Sequence, residues 1–258
     1  MLSYQSRDSM QGTRTPRAKL FQLLDELDQT AGEFITVYLT QNTLQAPSSR
    51  LQPRSLVDSR LRDVSTIVED EAVQRDARRY GTGVVVFYSP ITVYAVIPAL
   101  PVREDRAVEG VPNTAPLRQM LGDTNRVALV LVTWGGYVAA LFQGMQRKHS
   151  RKGTGHIHPL HKKGGSSQAR FQRRTEEQRR QFLKRVGARV DAELQGEAVD
   201  HVFFGGNRLI LKPLTDHSLF LRQAATILMQ RILNVERADQ EALDSAIEDA
   251  YTSIVLRP

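Results

Sequence analysis

Residues 126–144 read RVALVLVTWGGYVAALFQG. Valine and leucine dominate both sides of the pair Gly135-Gly136, and such runs fit a pleated, buried surface better than an exposed helix. The glycine pair supplies a tight turn between them, so the stretch predicts a β-hairpin. Neither strand contains Asp or Glu.

Downstream of the hairpin the character of the chain changes. Residues 145–174 have almost no apolar content and are interrupted by Gly153, Gly155, Gly164 and Gly165. A segment of this kind cannot bury itself, so a long mobile loop is expected there. Thr175-Glu176-Glu177-Gln178 then has the form of a capping box, and Phe182, Leu183, Val186, Val190 and Leu194 repeat as the apolar stripe of a helix ending near Gln195. HVFFGG (201–206) predicts a strand, and RLILKPL (208–214) a second short strand after a glycine turn. Two helices are expected at 216–234 and 239–251. Strands and helices alternate, which makes this half an α/β layer structure with a mixed sheet flanked by helices.

Upstream, residues 98–122 carry Pro101, Pro112 and Pro116 without periodicity and predict a long connection with a short helix near Leu117–Leu121. Before it, TGVVVFY and ITVYAVI form a second hairpin around Ser89-Pro90, preceded by one long helix over 55–79 that Gly81 stops. FITVYLT (34–40) predicts a strand. Pro16 opens a helix with Leu20, Leu23, Leu24 and Leu27 on one face, and residues 1–15 are expected to be disordered. The predicted organisation is therefore a frayed N-terminus, an α/β domain over 16–122, and a second α/β domain over 123–258 bearing the loop.

The chain of 258 residues is 41% hydrophobic, enough for a real core, and has no cysteine. That absence removes disulfides, thiolate nucleophiles and cysteine-ligated zinc. Neither a signal peptide nor an apolar run of membrane-spanning length is evident, and a cytoplasmic location is expected. Charge is unevenly spread. Thirteen basic residues lie between positions 147 and 185: Arg147, Lys148, Arg151, Lys152, Lys162, Lys163, Arg170, Arg173, Arg174, Arg179, Arg180, Lys184 and Arg185, against Glu176 and Glu177 alone. The whole chain has a net charge of only +7, so the remainder is mildly acidic. One basic segment on an acidic body predicts a polyanion partner at one face, and nucleic acid is the commonest.

Within that segment stands Lys162-Lys163-Gly164-Gly165-Ser166-Ser167-Gln168-Ala169-Arg170. Gly164 and Gly165 let a backbone enter a crowded RNA cavity, since they admit positive φ and present no side chain. Flanking cations hold phosphates without reading sequence. A glutamine amide donates to one oxygen and accepts from another, so Gln168 can orient a water or stabilise a leaving 3′ oxygen without titrating. Taken alone, the string also suits a plain polar loop.

Together the hairpin, the loop ending KKGGSSQARFQRR, the helix TEEQRRQFLKRVGARV and the run HVFFGGNRLILKP resemble the bacterial Vms-like release factors. Those are related to the middle domain of the eukaryotic and archaeal class-1 peptide-chain release factors, a mixed-sheet domain of ribonuclease-H-like type. The resemblance is strongest over about 124–258, and residues 32–122 look like the N-terminal part of the same superfamily. It implies peptidyl-tRNA hydrolysis in the rescue of stalled ribosomes. Gln168 would be catalytic, Gly164, Gly165, Ser166 and Ser167 would shape the loop, and the ribosomal large subunit and peptidyl-tRNA would be the partners. In eukaryotic members the glutamine commonly stands one residue nearer the glycine pair. No codon-reading domain is evident, so stop-codon recognition is not expected.

Rival readings remain open on the same residues. His156, His158 and His161, with His149 nearby, have a spacing that metal sites use, but the loop offers no carboxylate to complete a shell, and no metal or cofactor is expected. A two-metal nuclease lacks carboxylates in the hairpin strands. Metal-free cleavage of tRNA near its 3′ CCA end, a chemistry associated with eukaryotic relatives, is the main alternative; a non-catalytic ribosome-binding module is the third. Trp134, Phe87, Tyr88 and Tyr94 are expected in the core rather than stacked on bases.

Overall fold

The computed structural model describes residues 9–45, 58–155 and 167–258, with the backbone course alone for 58–61 and 167–171. The chain forms two compact units, one reaching to Gly122 and taking back Tyr251–Pro258, the other spanning Asp123–Ala250.

The first unit begins with β1 (Gln11–Thr15) and α1 (Arg17–Gln29), whose Leu20, Leu24 and Leu27 are buried along one face. β2 (Phe34–Leu39), α2 (Gln41–Gln45), α3 (Asp58–Glu69) and α4 (Glu71–Tyr80) follow. The single helix expected over 55–79 is broken because Asp70 caps α4, its Oδ1 accepting from the amides of Ala72 at 2.8 Å and Val73 at 3.3 Å. β3 (Val84–Tyr88) and β4 (Val93–Ile97) form the expected hairpin. β5 (Arg106–Gly110) and α5 (Ala115–Met120) complete this stretch. β5 corrects the reading of 98–122 as connection: it pairs along β2 at the sheet edge, where backbone partners suffice without an apolar pattern. The strand that ends the chain, β10 (Ser253–Arg257), pairs with β4 on one side and β1 on the other. The six strands run antiparallel in the order β1-β10-β4-β3-β2-β5. Two expectations are overturned here: residues 11–15 are an ordered strand, and 253–257 belong to the first sheet.

The second unit is built on the quoted hairpin. β6 (Arg126–Thr133) pairs with β7 (Gly136–Gln143) from Arg126↔Gln143 to Thr133↔Gly136, which leaves Trp134 and Gly135 at the corner. β8 (Gln146–Thr154) pairs antiparallel with β7, and β9 (His201–Gly206) runs parallel to β6. The mixed sheet has the order β8-β7-β6-β9. Helix α6 (Ser167–Leu194) lays Phe182, Val186, Val190 and Leu194 against Ala128, Val130, Ala139, Leu141 and Phe204 on one face. On β8, side chains alternate. His149 and Arg151 reach α6, while Ser150 meets Gln240 of α9 (Gln240–Ala250), so helices flank both faces.

Where the described residues cover the open loop expected over 145–174 they are mostly regular structure, and 156–166 lie outside them. Residues 146–154 are an edge strand, whose charged side chains stay in water while its backbone pairs with β7. Residues 167–174 are already helical, so Thr175 is an internal, buried residue of α6 and the expected capping box is absent. RLILKPL is also not a strand: Asn207 Oδ1 accepts from the Leu209 amide at 3.0 Å and starts α7 (Arg208–Thr215), which buries Ile210 and Leu214 four residues apart. The helix expected over 216–234 is cut short. Only α8 (Leu219–Gln223) and a 3₁₀ turn at Ala224–Thr226 form, after which Leu228 and Leu233 bridge to β9. No helix among the described residues is long and apolar enough to cross a membrane.

Candidate functional site

Gln168 stands in the first turn of α6, not at a loop tip, and Ser167 and Arg170 share that turn. Lys162, Lys163, Gly164, Gly165 and Ser166 lie outside the described residues, as do His156, His158 and His161. No group of metal-ligating side chains suited to an ion occurs among the described residues. At about 1.5 Å per residue, the start of α6 lies roughly 21 Å along the helix axis from Phe182, the first residue of its buried stripe. The described residues of the intervening stretch are exposed except for Thr175 and the half-buried pair Gln178 and Arg179.

The corner of the hairpin meets both chains that flank the glycine-containing segment. Trp134 is half-buried, its ring 6.1 Å from that of Phe182 and tilted by 53°. The guanidinium carbon of Arg179 lies 4.9 Å above the Trp134 ring. On the other side, the Gly155 amide donates to the Gly135 carbonyl at 3.0 Å. A Cβ on Gly155 would overlap the Phe182 ring and stand 3.1 Å from the Trp134 carbonyl oxygen, so only glycine allows the chain leaving β8 to pass this close. Trp134 is therefore a half-buried corner residue packed against the edge of the core, Tyr94 is half-buried as well, and Phe87 and Tyr88 are fully in the core.

The cations predicted to bind RNA fall into two classes. Some are engaged within the fold. Arg151 Nε lies 3.1 Å from Glu193 Oε2, and His149 Nδ1 lies 2.7 Å from Glu193 Oε1. Glu197 bridges onward, 3.4 Å from His149 Nε2 and paired with Arg126. Glu193 is only 9% exposed, so this network ties the basic edge strand β8 to α6. Arg147 reaches Asp244 of α9 at 3.8 Å, a mostly exposed pair of little energetic weight. Arg180 meets Glu177 at 2.7 Å, and hydrogen bonds from Gln181 and Arg180 hold the Glu177 carboxyl below its ordinary range. Others face water. Lys152, Arg173, Arg174, Lys184 and Arg185 are exposed and unpaired with carboxylates among the described residues, and Lys148 donates only to Gln146 at 3.0 Å. The sequence reading missed Glu193, Glu197 and the role of the Trp134 corner. The available signal was a carboxylate beside the apolar stripe of α6, with the cation pairs Arg147-Lys148 and Arg151-Lys152 in β8.

Among the described residues, cations unpaired with carboxylates stand along α6 and β8, and no group of side chains suited to a metal ion occurs. A surface of this kind can bind phosphates. Comparison with known proteins gives this arrangement a family. The chain is similar to the eukaryotic peptide chain release factor subunit 1 of Stylonychia lemnae, 28% identical over 152 residues, covering 55% of this chain and 33% of that protein. The Oxytricha trifallax protein of the same description is 25% identical over 137 residues, covering 52% and 31%. The chain thus spans about a third of the length of these relatives. Among solved structures, the archaeal translation termination factor aRF1 aligns over 90% of this chain and 69% of its own, with 17% identity and a TM-score of 0.39. The Vms1 mitochondrial localization core aligns over 85% and 96%, with 13% identity and a TM-score of 0.35. The model of the Actinobacteria/chloroflexi VLRF1 release factors matches residues 125–256, half of the chain and nearly all of the second unit, and the chain belongs to that family.

Proposed function

We propose that this protein is a release-factor-like peptidyl-tRNA hydrolase that frees nascent chains from stalled ribosomal large subunits, working in the cytoplasm without a cofactor. The observation that carries the reading is the position of Gln168. It follows a glycine pair in the sequence and opens a 28-residue helix whose second half is buried on the sheet, in a chain of a release-factor family. A rigid helix gives a group in its first turn a defined approach to a crowded centre, and order in the supporting shell governs catalytic geometry.

In this reading the exposed cations of α6 and β8, Arg173, Arg174, Lys148 and Lys152 among them, hold ribosomal RNA or tRNA phosphates, with Lys162, Lys163 and Arg170 assigned to the same task. Gly164, Gly165, Ser166 and Ser167 shape the backbone that enters the peptidyl transferase centre. The Gln168 amide orients a water whose oxygen attacks the ester carbonyl carbon. The bond from that carbon to the 3′ oxygen of the tRNA breaks, and the 3′ oxygen takes up a proton while accepting a hydrogen bond. Catalysis of this type needs positioning more than a titrating base.

The test is to incubate the protein with stalled large-subunit complexes and analyse both products. Free peptide together with tRNA ending in an intact CCA supports ester hydrolysis. Peptide still attached to a 3′ fragment of tRNA identifies cleavage of the tRNA instead, and binding without either product leaves only a docking module.

A further inference from the structure

We propose that Trp134 is a positioning residue for the proposed hydrolysis, its ring holding α6 at the same hairpin corner whose backbone holds the chain leaving β8. The inference rests on the function proposed above for its catalytic consequence, and on the structure of the second unit for the clamp itself.

A single corner meets both flanking chains. The chain leaving β8 is held at Gly155, by its amide on the Gly135 carbonyl and by contact with Phe182 and the Trp134 backbone. The chain of α6 is held at Arg179 and Phe182, which lie three residues apart on one helix face and both meet the Trp134 ring. Phe182 is the last residue of the buried stripe before a mostly exposed stretch, in which Thr175 alone of the described residues is buried, that leads back to Gln168. A change of helix direction at Phe182 is therefore magnified at Gln168, at the far end of a lever roughly 21 Å long.

Arg179 is unlike its neighbours. Arg180 has Glu177 and Arg151 has Glu193, whereas the partner of Arg179 among the described residues is an aromatic ring, and its Nε is buried without an acceptor. The ring contact is what holds the Arg179 guanidinium at the corner. Stacked on indole, the strongest aromatic partner for a cation, it fixes the rotation of α6 about its axis while its outer face stays half-exposed. Trp134 has the same dual character: a core residue would be buried, and a surface residue would not hold a ring and a cation at once.

Trp134 is the sole tryptophan of the chain, so its emission reports on the clamp directly. The experiment compares the full-length wild type with Trp134→Ala, Trp134→Leu and Trp134→Phe by hydrogen exchange, and by single-turnover release from stalled large-subunit complexes at saturating and subsaturating protein. We expect faster exchange over 172–181 in Trp134→Ala and Trp134→Leu, unchanged exchange over 186–194, and wild-type protection in Trp134→Phe. We expect the release rate at saturation to fall on the order of 10–100-fold in the first two, with half-saturation unmoved, because misplacement acts on the reacting geometry and leaves the cations in place. Arg179→Met should shift the Trp134 emission and reproduce the exchange effect. Unchanged exchange over 172–181 in both Trp134→Ala and Trp134→Leu overturns the clamp, whether or not the wild type releases peptide. Faster exchange with an undiminished rate of Gln168-dependent release overturns the positioning role. A wild type that binds but releases nothing counts against the proposed function, and exchange alone then decides the clamp.

Discussion

Replacing Gly187 by alanine sets two effects of opposite sign against each other inside α6. Helix propensity favours the change: glycine in a helix interior costs about 0.8–1.0 kcal/mol relative to alanine. Packing opposes it. A Cβ at this position would overlap the His217 carbonyl oxygen and stand 2.6 Å from its carbon, a backbone group rather than the end of a flexible side chain. The segment after His217 cannot move away cheaply, because Asp191, one turn further along the same helix, holds it. The Ser218 hydroxyl donates to Asp191 Oδ1 at 2.6 Å, and the amides of Leu219 and Phe220 donate to the same carboxylate at 3.0 Å each. Overpacking of this kind costs about 1–3 kcal/mol, more when charge-assisted hydrogen bonds must break, so Gly187→Ala should lose about 1–2 kcal/mol after the propensity gain. Urea unfolding followed by Trp134 emission reports on the second unit, where both residues lie. An alanine variant as stable as the wild type, or more so, refutes the reasoning and leaves Gly187 as an ordinary helix defect.

Neutralising Arg173 and Arg174 together should lower the slope of log affinity against log salt by about 1.4–1.8, since each phosphate contact contributes about 0.7–0.9 and both side chains are exposed and unpaired among the described residues; an unchanged slope puts the RNA elsewhere. Glu193→Gln should act in opposite directions on stability and binding. It removes the partner of Arg151 and His149, costing about 1 kcal/mol because those side chains are 48% and 37% exposed, and it frees Arg151 to raise the salt slope by about 0.7–0.9. Loss of stability with no gain in slope would mean that Arg151 serves the fold alone.

The β6–β7 hairpin was legible because every local signal agreed: apolar runs, branched side chains and a glycine pair. β8 was not, because pairing at a sheet edge depends on backbone groups and leaves no apolar pattern behind. α7 was misread because Leu209, Ile210 and Leu211 favour a strand locally, while the Asn207 cap and the burial of Ile210 and Leu214 decide for a helix. The first strand escaped notice for a different reason: its partner, β10, lies at the other end of the chain. At the site, composition revealed the cations but not their allegiance. Glu193 lies 42 residues from Arg151, and only the folded unit brings them together. Trp134 looked like core because an aromatic residue beside a buried strand usually is, and its contact with Arg179 depends on where α6 crosses the corner.

The most direct test of the account is the single-turnover rate of peptide release from stalled large-subunit complexes by wild-type protein and by Gln168→Ala, with binding to the same complexes measured in parallel. Removing one positioned polar donor typically costs on the order of 10²–10³ in rate, and this substitution removes no charge from the docking surface. The account predicts a loss of that size in Gln168→Ala with affinity for the complex within about twofold of wild type. A Gln168→Ala protein that frees nascent chains at the wild-type rate would contradict it, and would leave the head of α6 as an anchor.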